Sequence, residues 1–301
     1  MSPAFVGCGA SHRLPPHLTS SSLTKATDTF GVSDSTPTSA TYSHGHHASV
    51  LRSHGWRTAE NSAAYLLPHL RPDQVLLDVG VGPGTLTADL ATRVGRTVGI
   101  DAAPAAVEAA RALAQERRLT SLSVQVGDVG ALPFADGTFD VVHAHQVLQH
   151  LADPVAALHE MRRVCQPGGL VAVRDVDYAT MTWFPASDAL SRWLELYVAI
   201  TRRNDGEPYA GRTLKSWALA AGAQDLTCSA SAWCFSERED LAWWSETWAE
   251  RLTESTFATS AIDHGLSDRA ELAALAAGLL VWRDEPDAWF GMLHSEVLIR
   301  T

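Results

Sequence analysis

The sequence predicts an α/β protein: a seven-stranded, mostly parallel sheet flanked by helices, with a helical cap inserted before the last strand. Three observations carry this. Short β-branched runs alternate with helical patterns between residues 75 and 175. A glycine-rich turn follows the first of those runs directly. Nine of the ten tryptophans then gather between Trp183 and Trp289, many on helical patterns, a change of character from the alternating part. With 301 residues and 46% hydrophobic content, the chain can bury a large core in one domain with additions.

Taken in order, residues 1–41 hold 15 Ser or Thr, several prolines and almost no apolar periodicity, and read as a disordered tail. A mitochondrial transit peptide competes with that reading, because acidic residues are few, but only Arg13 and Lys25 are basic there. The stretch GWRTAENSAAYLLPHL sets Ala63, Ala64, Leu66 and Leu67 on one helical face and ends at Pro68 and Pro72, predicting a helix over 56–70. Strands follow at 75–79, 97–100, 122–126, 140–144 and 170–175. Crossover helices begin near Ala102 and Ala152, where apolar residues recur at three and four positions. Beyond Asp175, helices are expected over 187–203, 210–221, 237–253 and 267–282, and strands over 225–235 and 289–299. The organisation is a tail over 1–41 and one domain over 42–301, with a core over 55–175 and cap elements over 180–222 and 236–286.

Composition excludes several functions. Twenty-three basic against 34 acidic residues give a formal charge of −11, which opposes the phosphate attraction behind nucleic-acid binding. No apolar run suits a signal peptide or membrane insertion, and Cys8, Cys165, Cys228 and Cys234 lack CxxC spacing. The expectation is a cytoplasmic monomer or homodimer whose partner is a small molecule.

The strongest local signal is VLLDVGVGPGTLTADL, an apolar strand ending at Asp78 and then Gly80, Gly82 and Gly84 before a helix. Glycines there allow a tight turn and close approach of a ligand at a helix N-terminus. Asp101 ends the next strand, where a carboxylate can accept both hydroxyls of a ribose, and Asp128 follows the third, where it can meet an adenine amino group. This set, with the LPF and FD stretch before the fourth strand, resembles the class I S-adenosylmethionine-dependent methyltransferases, and the match runs from Val75 to Asp175. The resemblance implies the Rossmann-like fold of that class, S-adenosyl-L-methionine as cofactor and S-adenosyl-L-homocysteine as product. By position, Asp78 and the Gly80–Gly84 turn would pass under the methionine part, Asp101 and Ala102 would hold the ribose, Asp128 and Val129 would border the adenine, and His145 and Gln146 would lie near the sulfonium. Tyr42 to Leu70 and the aromatic C-terminal part are similar to small-molecule members related to ubiquinone and menaquinone methyltransferases.

Candidates for acceptor chemistry follow. In HQVLQHL, His150 is a candidate catalytic residue, against a solvated helix face. The cluster SHGHHASVLRSH holds His44, His46, His47 and His54. It lacks a clear fourth zinc ligand, so no metal is assigned, and His47 is a candidate base with His46 and Tyr42 near the acceptor. In VRDVDYATMTWFP, Asp175 is a catalytic candidate and Arg174, Asp177 and Trp183 are substrate candidates at the carboxyl edge of the sheet, against capping or surface ion-pair roles. Trp193, Trp243, Trp244 and Trp248 sit at helical spacing and suit core more than pocket. Tyr42 to Leu70 with VRDVDYATMTWFP is also similar to the thiol methyltransferases of gliotoxin- and holomycin-type dithiols. That narrower resemblance implies S-methylation in secondary metabolism, with C-, O- or N-methylation of a quinone, phenol or amine as the alternative. A metal-assisted O-methyltransferase finds no carboxylate cluster after Asp175. A nicotinamide oxidoreductase lacks a Tyr-x-x-x-Lys pair, since Lys25 and Lys215 are the only lysines. A silent adenosylmethionine-binding regulator would share every cofactor residue.

Overall fold

The computed structural model describes residues 56–301. The expectations for the tail and for Tyr42, His46 and His47 fall outside the described residues. Helix α1 (Ala59–Ser62) opens with a capping box: Thr58 Oγ1 accepts from the Asn61 N–H and the Asn61 side chain accepts from the Thr58 N–H. It stops at Ala63 instead of running to Leu70, and a 3-10 turn (Leu67–His69) follows. Pro68 supplies no N–H for a bond back to Ala64 and lies inside that 3-10 turn. Ala59, Ala63 and Leu66 are nevertheless fully buried.

Seven strands form one sheet: β1 (Val75–Val79), β2 (Arg96–Asp101), β3 (Leu122–Val126), β4 (Phe139–His145), β5 (Cys165–Phe184), β6 (Asp225–Phe235) and β7 (Trp289–Arg300). Their order is β3-β2-β1-β4-β5-β7-β6, and β7 runs antiparallel to both of its neighbours. The pairs from β3 to β5 are parallel. Between the strands lie α2 (Thr85–Leu90), α3 (Pro104–Glu116), α4 (Pro154–Val164), α5 (Asp188–Arg203) and α6 (Ala210–Ala220). The segment between β6 and β7 contains α7 (Arg238–Glu254), α8 (Thr256–Asp263) and α9 (Arg269–Trp282). Helix α8 escaped the sequence pattern, and its start is set locally by the Ser255 hydroxyl accepting from the Phe257 N–H.

Strand β5 is much longer than the six residues expected. Charges at Arg174, Asp175 and Asp177 argue against a buried strand, yet all three are buried in it. Pairing with β7 continues to Phe184, with a shift of register between Asp177 and Thr182. The far end of this ribbon carries a second core, in which Val176, Tyr178 and Phe290 meet Trp193, Tyr197, Trp244, Trp248 and Phe257. At ~25 cal/mol/Å², each buried ring of 150–250 Å² contributes a gross ~4–6 kcal/mol. That aromatic burial is what holds α5 and α7–α9 to the ribbon. Trp193, Trp244 and Trp248 are thus core residues.

One sheet face packs Leu76, Val141, Leu170 and Ala172 against Ala59, Leu66, Leu86 and Leu90. The other packs Leu77, Val142, Val171, Val173 and Val297 against α4 and α6 through Leu158, Met161, Leu214 and Ala218. Among the described residues no helix is long and apolar enough to cross a membrane.

Candidate active site

Strand β1 ends in a buried carboxylate. Asp78 Oδ2 accepts from Thr87 Oγ1 at 2.5 Å, and Oδ1 lies 2.7 Å from His143 Nδ1, tying β1 to α2 and to β4. With both oxygens engaged, Asp78 fixes the start of the turn that follows it. Gly80, Gly82 and Gly84 all have positive φ, from +54° to +88°. A Cβ on Gly84 would stand 2.7 Å from the Ala110 Cβ, and one on Gly80 would stand 2.4 Å from Val147 Cγ2, so both positions require glycine for space as well as conformation.

The turn is held from the tip of β2. Asp101 Oδ2 accepts from the Gly82 N–H and Oδ1 from the Ala103 N–H, each at 2.9 Å. Asp128 caps the next turn by accepting from the Gly130 N–H at 2.8 Å. Val129 is buried behind it and Ala102 is exposed. Ionised carboxylates offer about four lone-pair sites each, so both aspartates retain acceptor capacity for hydroxyl or amino donors. A cleft of ≈ 280 Å³, counted with its open mouth, is lined by Arg57, Asp78, Gly80, Val81, Pro83, Thr85, Leu86 and His145. The chemistry of this donor and acceptor set fits an adenosyl group: carboxylates for ribose hydroxyls and an adenine amino group, and a glycine turn that lets a ligand lie against backbone at the start of α2.

His145 closes the far side of the cleft. It is buried, and burial, then the charges of Arg57 and Arg174, push its pKa well below the usual histidine value, so it is neutral at pH 7. Among the described residues neither of its ring nitrogens has a hydrogen-bond partner. Gln146, next in the chain, adopts positive φ (+53°). Its Oε1 accepts from Arg57, and its Nε2 lies 2.7 Å from His294 Nε2. Burial and the same two arginines hold His294 well below its usual pKa.

The remaining candidates divide. Arg174 is not at an open edge: its side chain is 1% exposed, with Nη2 3.1 Å from Ser231 Oγ and Nε 3.4 Å from Glu296 Oε1. Asp177 is gripped by Arg212, whose Nε donates at 2.5 Å and Nη2 at 3.1 Å. Trp183 stacks on Phe290 with centroids 6.2 Å apart, within the cap core. His150 sits on a 3-10 turn (Leu148–His150), its Nε2 3.0 Å from Gln149 Nε2, and burial with the Arg57 and Arg251 charges lowers its pKa to about 3. Asp175 is fully buried, and desolvation raises its pKa to about 8, above the opposing pull of the backbone N–H groups at Gln149 and Leu148. At neutral pH it is an uncharged acid at that turn. Neither His150 nor Asp175 lines the cleft.

Several residues escaped the sequence reading. Arg57 and His294 stand around Trp233, Glu296 meets Arg174 beside it, and Tyr65 is buried within reach of the Arg174 and Glu296 charges. The usable signal was in β7, where His294 and Glu296 are two apart and therefore share a face, in a strand otherwise rich in apolar residues. Among the described residues no group of three or more His, Cys, Asp or Glu is placed to hold a metal.

Comparison with known proteins gives consistent results. Residues 77–173 match the model of the methyltransferase domain family. An uncharacterized methyltransferase of Schizosaccharomyces pombe is 31% identical over 86% of this chain and 96% of its own length. A demethylmenaquinone methyltransferase of Beutenbergia cavernae is 30% identical over 52% of this chain and 64% of its own. Among solved structures, the YcgJ protein of Bacillus subtilis aligns over 80% of this chain and 99% of its own with a TM-score of 0.52 at 17% identity, a likeness of fold.

Proposed function

The chain belongs to the S-adenosylmethionine-dependent methyltransferases, and from that premise we propose that it methylates a small secondary metabolite, with the thiols of a dithiol compound as the preferred acceptor. The observation that supports the thiol reading is that, among the described residues, no free carboxylate base lines the cleft. Asp78 is committed to Thr87 and His143, Asp101 holds the turn, and burial keeps His145 a weak base. A thiol of pKa ~8.5 is partly ionised at neutral pH and needs no strong base, whereas a phenol near ~10 gains more from one. The charges of Arg57 and Arg174 beside His145 favour an ionised acceptor further.

The cofactor supplies a methyl group already activated on a sulfonium. The protein's task is to hold the acceptor atom in line with it. In this reading Asp101, with Ala102, takes the ribose hydroxyls, Asp128 and Val129 border the adenine, and the Gly80–Gly84 turn accommodates the methionine part. His145 and Gln146 face the reacting side. His150 and Asp175 act from beneath, by positioning the turn after β4, and Trp56 packed edge-on against Trp233 keeps water from that region.

Methylation of carbon, oxygen or nitrogen on a quinone, phenol or amine is the second reading, favoured by the similarity to a demethylmenaquinone methyltransferase. A mass-spectrometric assay with the cofactor and a reduced dithiol, a simple thiol, a catechol and a demethylated quinone separates the two. The thiol reading expects one-methyl mass gains on the dithiol, and gains on the catechol or quinone alone overturn it. Cofactor binding with no gain on any acceptor would favour a silent regulator.

A further inference from the structure

The sheet face that carries His145 continues across β5, β7 and β6 as a polar surface. His145 is in register with Arg174, Arg174 with Glu296 and Glu296 with Ser229, and two residues along β7 His294 is in register with Ser231. These side chains surround one indole. Measured to the Trp233 ring centroid, the His294 ring lies at 4.3 Å, Arg174 Cζ at 5.0 Å, the His145 ring at 5.8 Å and Arg57 Cζ at 6.0 Å.

Hydrogen bonding within this group does not close. The Glu296 carboxylate accepts from Ser229 Oγ at 2.6 Å and Ser231 Oγ at 2.5 Å, and meets Arg174 Nε only at 3.4 Å. Arg174 carries five N–H donors, and its Nη1 has no partner among the described residues although the side chain is 1% exposed. Both nitrogens of His145 and Nδ1 of His294 also lack partners among the described residues, in residues that are 5% and 0% exposed. Buried polar atoms ordinarily find partners in nine cases out of ten or more, roughly, so a concentration of orphans in one place points to a ligand. Arg57 and His145 line the cofactor cleft as well, so the polar group and the cleft adjoin.

We propose that His145, Arg174 and His294, gathered around Trp233, form a subsite that binds the nucleophilic atom of the acceptor as an anion, a phenolate, enolate or thiolate carried on a flat or apolar body. The guanidinium N–H and the imidazole N–H groups donate to the anionic oxygen or sulfur, and the indole lies against the body that bears it. The acceptor's proton is released to solvent on binding. This inference rests on the methyltransferase reading and deepens it: the site's electrostatics ionise the acceptor, and His294 and Arg174 select for it.

The test uses the protein saturated with S-adenosylhomocysteine and 4-nitrophenol as the probe, at a pH below the probe's solution pKa. The expected result is the visible absorption of nitrophenolate on binding, with nitrobenzene binding tenfold or more weakly, about 1.4 kcal/mol. Displacement by benzenethiol but not phenol would assign sulfur as the preferred atom and the reverse would assign oxygen, and either supports the subsite. Replacing Arg174→Gln and Glu296→Gln together removes the cation without stranding its carboxylate. That double variant, and separately His294→Ala, should bind S-adenosylhomocysteine as the parent does and lose the nitrophenolate signal tenfold or more. Nitrophenol bound only in its colourless form, nitrobenzene bound as tightly, or signals unchanged in both variants would overturn the subsite while leaving the cofactor reading intact. Failure of the parent protein to bind S-adenosylhomocysteine would overturn both.

Discussion

Asp101 is the residue on which cofactor affinity should depend most. Its two oxygens already accept from the Gly82 and Ala103 backbone N–H groups at 2.9 Å, so the carboxylate is fixed in place before any ligand arrives. Replacing Asp101→Ala removes two kinds of interaction: the charge-assisted bonds that order the glycine turn and the acceptors for a ribose. A hydrogen bond to a charged group is worth roughly 1.5–3 kcal/mol. Lost binding energy of that size raises the dissociation constant for S-adenosylhomocysteine roughly 10- to 150-fold. The variant Asp101→Asn separates the two kinds. Its amide oxygen can still accept from one backbone N–H, so the turn is partly kept, but its NH2 group then faces the second donor and one acceptor for the hydroxyls is gone. The expected order of affinity is parent, Asn, Ala. Isothermal titration calorimetry reads it directly, and thermal melts on the same samples show whether folding is affected. Unchanged affinity in Asp101→Ala, in a protein that melts like the parent, would refute the assignment of this carboxylate to the ribose.

Other consequences follow from the same geometry. Gly84→Ala forces a left-handed φ on a Cβ residue and drives that Cβ to 2.7 Å from the Ala110 Cβ, so a loss of roughly 2–5 kcal/mol is expected in urea unfolding. Thr87→Val leaves Asp78 Oδ2 without its buried donor and should cost about 1.5–3 kcal/mol, with Thr87→Ser recovering most of it. For Asp175, the folded pKa of about 8 lies above the ordinary aspartate value of 3.8, so the folded state binds the proton more tightly and this group's contribution falls as pH rises between those values. Asp175→Asn copies the neutral acid, so its stability relative to the parent should climb over that window and level off above it; a flat difference would show that the carboxyl is not held neutral. His150 has the opposite sign. Its folded pKa of about 3 lies below 6.5, so stability is lost as pH falls from 6.5 toward 3, and His150→Gln should lessen that acid sensitivity in melts across the same range.

Much of the half from β1 to β4 was legible because its signals are local. The Asp78 to Gly84 turn, Asp101 and Asp128 are each set by a strand end and the residues just beyond it, and such a turn demands particular residue types wherever it occurs. Strands over 75–79, 122–126 and 225–235 coincide with the expected ranges for a similar reason, since alternation and β-branching act within a few residues. What local signals miss is pairing across the sheet. Nothing local carries β5 past Asp175: the register with β7 sets Glu296 opposite Arg174, and the helix over Ala210–Ala220 brings Arg212 to Asp177. The same blindness hid His294, which becomes notable only once Trp233 from β6 and Gln146 from the end of β4 are placed beside it. The helix expected over 56–70 stops at Ser62, and Pro68 falls within the separate 3-10 turn that follows.

The most direct measurement is a crystal structure of the protein with S-adenosylhomocysteine. The account predicts the ribose hydroxyls on Asp101, the adenine beside Asp128 and Val129, and the sulfur turned toward His145. Density for the ligand away from the Gly80–Gly84 turn, or a ribose that does not touch Asp101, would contradict it.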